Sequence, residues 1–213
     1  MREAVATEEM RSVILRALVL NGPSSADDIG RRVRAGLEPI RRELDAMSGA
    51  GVVAWSAAGL CYPTAIGKVM CARLLALECS AYASGMLAAI DRELRGLDRT
   101  VSDIDLRWLL REDLRGTITV DDRSDSDYDR AIIADLLVSG ARMLEAMIAA
   151  TDVLGRYRGY HERLSEALER VERGDRSFVG RSSGDGCVAI WTEFRRDIAY
   201  AAFRTGVVAD EAV

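Results

Sequence analysis

The sequence predicts a mainly α-helical protein in two parts. Residues 1–66 are predicted to form three helices plus a β-hairpin, and residues 67–213 are predicted to form an all-α helical domain. Apolar residues recur every three or four positions through most of the chain, which is the period of an amphipathic helix. Residues 52–62 instead carry two short β-like runs around a turn. The composition is 49% hydrophobic and 30% charged, with a net charge of −5 over 213 residues, which is typical of a folded globular chain and excludes intrinsic disorder.

The first two helices are predicted from their apolar faces and from the turn between them. The apolar residues of the first helix are Met10, Val13, Ile14, Ala17 and Leu18. Asn21-Gly22-Pro23 stops this helix. Ser24 or Ser25 can cap the second helix, whose first turn contains Asp27 and Asp28, where the helix dipole favours anions. The predicted buried face of the second helix is Ala26, Ile29, Gly30 and Val33.

The third helix and the hairpin follow the segment Arg34-Ala35-Gly36. The apolar stripe of this helix is Leu37, Ile40, Leu44 and Met47. Gly49-Ala50-Gly51 ends the helix, Val52–Trp55 reads as a strand, and Leu60-Cys61-Tyr62 reads as the returning strand after a turn at 57–59. Thr64 can cap the helix that follows. Three helices followed by a β-hairpin are the elements of a winged helix.

The rest of the chain is predicted to be helical almost to its end. The predicted helices cover about residues 66–77, 82–94, 104–110, 127–154, 157–171 and 191–202. A Gly- and Ser-rich loop is expected at 174–186. The run Gly116–Val120 is β-like but has no second run to pair with, so the second domain is predicted to be all-α.

Residues 29–53 resemble the winged-helix transcription factors of the MarR, ArsR and PadR type. The similarity lies in Ile29-Gly30-Arg31-Arg32-Val33, in the turn Arg34-Ala35-Gly36, and in the segment from Ile40 to Val53 that ends Gly49-Ala50-Gly51-Val52-Val53. Thr64-Ala65-Ile66-Gly67 is similar to the Leu-Thr-x-x-Gly that opens the next helix in MarR-like proteins. Arg34 stands where these families commonly have glycine. The resemblance implies that the third helix is a recognition helix and that the partner is double-stranded DNA.

The candidate DNA-binding residues lie on and around this third helix. They are Arg31, Arg32, Arg34, Glu38, Arg41 and Arg42. Arg41 and Arg42 lie opposite the apolar stripe, where they are free to meet phosphates or guanine edges. Glu38 has two open interpretations, because its carboxylate would repel phosphate but can also accept from a cytosine amino group. Residues 31–42 hold five arginines against one acid, a local charge of +4.

The helical half is expected to dimerise, because apolar helix faces are dense between residues 127 and 171. Regulators of this type also bind effectors, and a small-molecule effector of unknown identity is the second expectation for this half. Residues 160–175 faintly resemble the effector domain of FadR-like regulators of the GntR type. Those domains hold a metal through an aspartate and three histidines, whereas His161 is the only histidine here, so no metal and no cofactor are predicted.

Other function classes find little support in the sequence. No acid–base pair, nucleophile dyad or metal cluster points to an enzyme, and a helical enzyme is therefore the third interpretation. No apolar run approaches the ~20 residues that cross a bilayer, so the chain is predicted to be cytoplasmic with no membrane partner. The alternative to DNA binding is a winged-helix adaptor that binds other proteins, with its arginines on a solvated face.

Overall fold

The computed structural model describes residues 2–112, 117–181 and 184–210. These residues form nine α-helices and two antiparallel hairpins of two strands each, so the fold is mainly helical. The elements are α1 (Arg2–Asn21), α2 (Ala26–Val33), α3 (Leu37–Gly49), β1 (Val53–Trp55), β2 (Cys61–Pro63), α4 (Ala65–Glu78), α5 (Ala81–Glu93), α6 (Arg95–Leu109), β3 (Leu110–Glu112), β4 (Ile118–Val120), α7 (Ser126–Val153), α8 (Arg158–Glu172) and α9 (Cys187–Asp210). Among them no single helix is long and apolar enough to cross a membrane; α4 and α5 reach that length and composition only together.

Two compact units divide the chain, Met1–Ser84 with Tyr200–Val213 and Gly85–Ala199. Helices α5 and α9 therefore contribute residues to both units. The division differs from the sequence boundary at residue 66, because α4 packs along α1 and belongs with the N-terminal elements. The boundary predicted at residue 66 separates α4 from α1, because the packing between these helices joins residues that are far apart in sequence.

Capping side chains define the starts of α2 and α4 in the first unit. Ser25, not Ser24, caps α2, and its hydroxyl accepts from the backbone N–H of Asp28 at 3.1 Å. Thr64 caps α4 as expected, accepting from the N–H of Gly67 at 3.2 Å. Ser24 is part of a different interaction: its backbone exchanges two hydrogen bonds of 2.9 Å with Cys61 of β2. This bridge ties the segment between α1 and α2 to the hairpin.

The core of the first unit is a single apolar cluster contributed by α1, α2, α3, the hairpin and α4. Its buried members are Ile14, Leu15, Leu18, Ile29, Ile40, Leu44, Met47, Val52, Val53, Cys61 and Cys71. The predicted stripe of α3 is confirmed at Ile40, Leu44 and Met47, which are at most 1% exposed. Burying these three side chains fixes which way α3 faces, because residues at this spacing share one side of a helix.

Gly67 lets the first turn of α4 lie close to the backbone of Val52, just before the hairpin. A Cβ atom at this position would lie 2.2 Å from the backbone oxygen of Val52. That oxygen accepts from the backbone N–H of Thr64 at 3.0 Å, and the Thr64 hydroxyl donates to the carbonyl of Gly51 at 2.7 Å. The resemblance at Thr64–Gly67 thus has a physical basis: threonine caps α4, and glycine lets its first turn touch the backbone of residue 52.

The second unit is built around the long helix α7, which packs on α6 and α8. Asp125 caps α7 by accepting from the N–H groups of Asp127 and Tyr128, both at 3.0 Å. An aromatic cluster of Tyr157, Tyr160, Trp191 and Phe194 fills the space between α8 and α9, with ring centroids 5.5–6.3 Å apart. The predicted helices are present, and α6 is longer than expected because it begins at Arg95.

The prediction of an all-α second domain is wrong at one place. Leu110–Glu112 and Ile118–Val120 pair as the antiparallel strands β3 and β4. The β-like run at 116–120 was visible in the sequence, but Gly116 itself lies outside the described residues. The sequence did not reveal its partner strand. Leu110–Glu112 directly follow α6, and three residues in that position cannot be distinguished from one more helical turn.

Buried ion pairs hold several elements of the second unit together. Asp129 is fully buried and accepts from Arg123 at 3.3 Å and from Arg176 at 2.7 Å, while Arg123 also stacks on the ring of Trp108. Asp197 is also fully buried and accepts from Arg156 at 2.9 Å and from the hydroxyl of Tyr160 at 3.2 Å. Charged side chains are ordinarily found at the surface, and these ion pairs explain why Asp129 and Asp197 are buried.

All four cysteine thiols are expected to resist labelling in the native protein. Cys61, Cys71, Cys79 and Cys187 form no disulfide and are at most 4% exposed. Burial raises the pKa of Cys61 to about 11 and that of Cys187 to about 12, so the reactive thiolate is scarce at neutral pH. A thiol-reactive chromophore should titrate no cysteine rapidly without denaturant and all four in urea. Rapid labelling of the native chain would contradict the packing.

Candidate nucleic-acid interface

Helix α3 separates an apolar face from a charged one. Ile40, Leu44 and Met47 are buried in the core of the first unit. The opposite side is exposed and carries the predicted site residues Glu38, Arg41 and Arg42. The same side also carries the exposed carboxylate of Asp45. The predicted site did not include Asp45, although the sequence places it one helical turn after Arg41. The charged face of α3 therefore holds two arginines and two acids.

The connection between α2 and α3 is a tight turn closed by backbone hydrogen bonds. The N–H of Ala35 donates to the carbonyl of Gly30 at 2.9 Å, which ends α2. Arg34 adopts the left-handed conformation, with φ 55° and ψ 41°, which favours glycine. Its side chain is exposed beside the start of α3. A non-glycine residue in this conformation is strained by roughly 1–2 kcal/mol.

Gly30 lets the two helices of the turn come close. A Cβ atom there would lie 3.0 Å from the backbone oxygen of Ala35 and 3.8 Å from the Ile40 side chain. A shallow pocket of about 270 Å³ lies on the outer side of this turn, lined by Asp27, Gly30, Arg31, Arg34, Ala35 and Leu37. The turn thus places Arg34 and Arg31 at the rim of one depression.

The two arginines of α2 are engaged within their own unit. Arg31 forms ion pairs with Asp27, at 2.6 Å, and with Asp28. A hydrogen bond from the Ser25 hydroxyl lowers the pKa of Asp28, and burial opposes that shift only in part, so this carboxylate stays ionised beside Arg31. Arg32 donates to the Ser24 hydroxyl at 3.0 Å. Both side chains are thus held by groups on the α1–α2 connection and on α2 itself.

The two arginines of α3 differ in their surroundings. Arg41 lies 3.7 Å from the carboxylate of Glu38, one turn earlier on the same helix. Arg42 has no ion pair among the residues that the structure describes, and its side chain is exposed. The local charge of +4 predicted for residues 31–42 is therefore reduced by the neighbouring acids Asp27, Asp28 and Asp45. The i,i+4 and i,i+3 spacings of these pairs were readable from the sequence.

The first hairpin ends in a small uncharged turn. The backbone N–H of Ser56 donates to Leu60 at 2.9 Å, and Gly59, with φ 72°, donates to Ser56 at 3.0 Å. Tip residues 56–59 carry no charged side chain. The strands present partly exposed aromatic rings, Trp55 at 38% and Tyr62 at 37%. The tip thus offers apolar contacts and backbone groups but no cation.

Among the described residues of the second unit, two pockets have the size of a small ligand site. One, of about 300 Å³, is lined by charged residues of α5, α6 and α9, and its Arg195 is already held by Asp91 and Asp98 at 2.9 and 2.8 Å. The other, of about 320 Å³, lies between α7 and α8 and is lined by Leu137, Leu144 and Leu168 with Glu169 and Glu172. Within the described part of the chain, no group of three or more His, Cys, Asp or Glu side chains could hold a metal.

No protein-family model, curated protein or solved structure matches this chain. Any functional conclusion therefore depends on the residues and geometry described above.

Proposed function

We propose that the chain is a DNA-binding transcriptional regulator of the winged-helix type that acts as a homodimer, with α3 as its recognition helix. One observation carries this proposal. Three buried side chains lock the orientation of α3, and the face turned outward presents Arg41 and Arg42 on a rigid helix. A recognition helix needs this separation, because one face must be buried while the other enters the major groove.

The arrangement around α3 supports a winged helix in particular. The isolated antiparallel bridge between Ser24 and Cys61 joins the α1–α2 connection to the hairpin. The hairpin follows α3 directly in the chain, which is the position of a wing. The tight turn at Arg34 and the close approach at Gly30 are features of a helix-turn-helix connection.

Each candidate residue has a proposed role that follows from its surroundings. Arg42, which has no ion pair within the described residues, is proposed to make the main contact to a guanine edge or a phosphate. Arg41 is proposed to exchange Glu38 for a DNA group on binding, since their 3.7 Å pair is exposed and therefore weak. Arg34 is proposed to contact the backbone from the turn, and Arg31 and Arg32 to shape the adjoining surface. Glu38 is proposed to face either a phosphate or a cytosine amino group.

A protein-binding adaptor is the second candidate, and the electrostatics of the same surface favour it. Arg31 and Arg41 form ion pairs with acidic residues of their own helices. The hairpin tip, residues 56–59, has no positively charged side chain that could bind a phosphate. Trp55 and Tyr62 are the kind of half-exposed aromatic residues that are enriched in protein interfaces. An adaptor would use these rings and would show no preference among duplex sequences.

Substituting the two arginines of α3 tests the proposal. Arg41→Ala and Arg42→Ala should each weaken binding to a selected duplex by roughly 1–3 kcal/mol for a lost base contact, or lower the salt slope by about one for a lost phosphate contact. Their unfolding free energies should change by less than ~0.5 kcal/mol, because neither side chain is buried. The measurement is selection from random duplex DNA with the wild type, followed by titration of each variant at several salt concentrations.

Arg73→Ala is the matched control for these variants. Arg73 is an exposed arginine of the same unit on α4, so its loss removes the same charge away from α3. DNA affinity should stay close to that of the wild type in this variant. Selection that enriches no sequence, or equal weak binding by the wild type and all three variants, would contradict DNA recognition and favour the adaptor. Glu38→Gln separates the two roles of Glu38: stronger binding to every duplex indicates a phosphate neighbour, and weaker binding at one position indicates a cytosine.

A further inference from the structure

In the hairpin of β3 and β4 of the second unit, the side chain of Arg111 is turned toward α7. Its register places Leu110 opposite Val120 and Arg111 opposite Thr119. Arg111 points to α7, where it donates to Asp125 at 2.7 Å and lies 5.2 Å from the centre of the Tyr128 ring. Residues adjacent along a strand point to opposite faces, so Leu110 and Val120 lie on the face turned away from α7.

The described side chains on that outward face are apolar, and the register also places Glu112 opposite Ile118. Val120 is 80% exposed, Ile118 is 65% exposed and Leu110 is 36% exposed. Leu106 and Leu109 on the last turn of α6 are also exposed. A hairpin on a protein surface ordinarily turns its apolar side chains to the core, whereas Ile118 and Val120 here face away from α7. Contiguous exposed apolar side chains of this kind mark a surface that another molecule covers.

The outer edge of β4 also offers unused backbone groups. The N–H of Asp121 donates to the carbonyl of Leu109 at 3.1 Å, which identifies residues 121 and 109 as a hydrogen-bonded pair. Such pairs alternate along an antiparallel ladder, so the N–H and C=O groups of Ile118 and Val120 point away from β3. Within the described residues these outward groups have no partner. Thr117–Val120 contains no charged residue or proline, the residues that usually protect an exposed edge.

We propose that β4 pairs antiparallel with β4 of a second copy of this chain, about a two-fold axis at Thr119. In this register Ile118 faces Val120 of the second copy, and Val120 faces Ile118 of the second copy. The outward backbone groups then match donor to acceptor, giving four hydrogen bonds across the axis. The apolar faces of both hairpins become continuous on one side of the new four-stranded sheet.

A second copy fits this surface better than a charged partner does. The paired segment is uncharged, so a two-fold arrangement opposes no like charges, and it offers no cation to a nucleic acid or an acidic membrane. The pairing also closes on itself. The N–H of Leu110 is used by the carbonyl of Leu106 at the end of α6, which leaves the edge of β3 a poor site for a further strand. The expected product is therefore a dimer and not a fibre.

The inference rests on the proposed function for the existence of a homodimer, and it names the surface that forms it. Sequence reasoning placed dimerisation on the helices between residues 127 and 171. The structure points instead to a strand that precedes them. A dimer through β4 would leave the exposed residues of α7, such as Val138, in water.

Sedimentation of the full chain at micromolar concentration tests the pairing. The wild type should sediment at about twice 23.3 kDa, and Ile118→Lys/Val120→Lys should sediment at 23.3 kDa, because edge lysines block strand addition. Val138→Lys is the matched control, since Val138 is 73% exposed on α7 of the same unit, and it should remain dimeric. Helix content by circular dichroism should be unchanged in all three proteins.

A second variant isolates the backbone contribution. Val120→Pro removes an outward N–H that β3 does not use, so the hairpin tolerates it while the dimer loses two of its four hydrogen bonds. The dimer dissociation constant should rise by at least about 30-fold. A monomeric wild type, or a dimer that survives Ile118→Lys/Val120→Lys, overturns the pairing. A wild-type dimer that selects a DNA sequence and survives Ile118→Lys/Val120→Lys would overturn this inference alone, whereas a β4 dimer that selects no sequence would overturn the DNA proposal alone.

Discussion

Replacing Asp197 by alanine is expected to lower the free energy of unfolding by about 3–5 kcal/mol. The carboxylate is fully buried and accepts from Arg156 and from Tyr160, and the Arg156 side chain is only 6% exposed. Removing the carboxylate takes away the buried anion that pairs with Arg156 and the acceptor of the Tyr160 hydroxyl. Breaking a buried ion pair by removing one of its members is among the largest penalties that a single substitution imposes. Urea unfolding at neutral pH, followed by circular dichroism, measures the change.

The matched control removes both charges together. Asp197→Leu/Arg156→Met replaces the ion pair by apolar side chains of similar length, and its stability should lie within about 1–2 kcal/mol of the wild type. The double variant should therefore be more stable than Asp197→Ala alone. If the single and the double variant lose the same stability, the loss comes from packing and not from an uncompensated charge.

Replacing Gly67 by alanine is expected to lower the free energy of unfolding by about 2–3 kcal/mol. The new methyl group would lie 2.2 Å from the backbone oxygen of Val52, and a backbone atom cannot move aside as a flexible side chain can. Relieving the overlap means separating α4 from the hairpin, which breaks the hydrogen bonds that Thr64 makes to residues 51 and 52. Thermal and urea unfolding of the full chain measure the loss.

Gly85→Ala is the matched control for this substitution. Gly85 lies in the middle of α5, is exposed, and a Cβ atom there would have nothing within 4 Å. Alanine at this position should raise stability by roughly 0.5–1 kcal/mol, because it favours the helix without a clash. Equal effects at Gly67 and Gly85 would show that helix propensity alone decides the outcome, and would contradict the close approach of α4 to Val52.

The first unit could be predicted from sequence almost element by element, because its signals are local. The stripe of Ile40, Leu44 and Met47 follows from spacing alone, and the caps at Ser25 and Thr64 follow from a hydroxyl placed before an apolar run. The exposure of Arg41 and Arg42 follows from the same spacing. What spacing could not supply is the distribution of charge on that face, since it depends on which acids lie near which arginines.

The second unit was harder to predict because its decisive interactions join distant residues. Asp129 accepts from Arg176 and Asp197 accepts from Arg156, and no local pattern distinguishes these aspartates from solvated ones. The β3–β4 hairpin was not predicted for a related reason. Its strands have three residues each, and hydrophobic periodicity over so few residues cannot distinguish a strand from a helical turn. The packing of α4 on α1, which extends the first unit beyond residue 66, is likewise a contact between segments that are far apart in sequence.

The left-handed backbone at Arg34 has a genetic consequence. Every arginine codon differs by a single base from a glycine codon, so random mutation reaches the residue best suited to this turn in one step. The resulting chain would be relieved of backbone strain and would lose a cation beside the start of α3. Selection for heat resistance and selection for the proposed activity would therefore act on this codon in opposite directions.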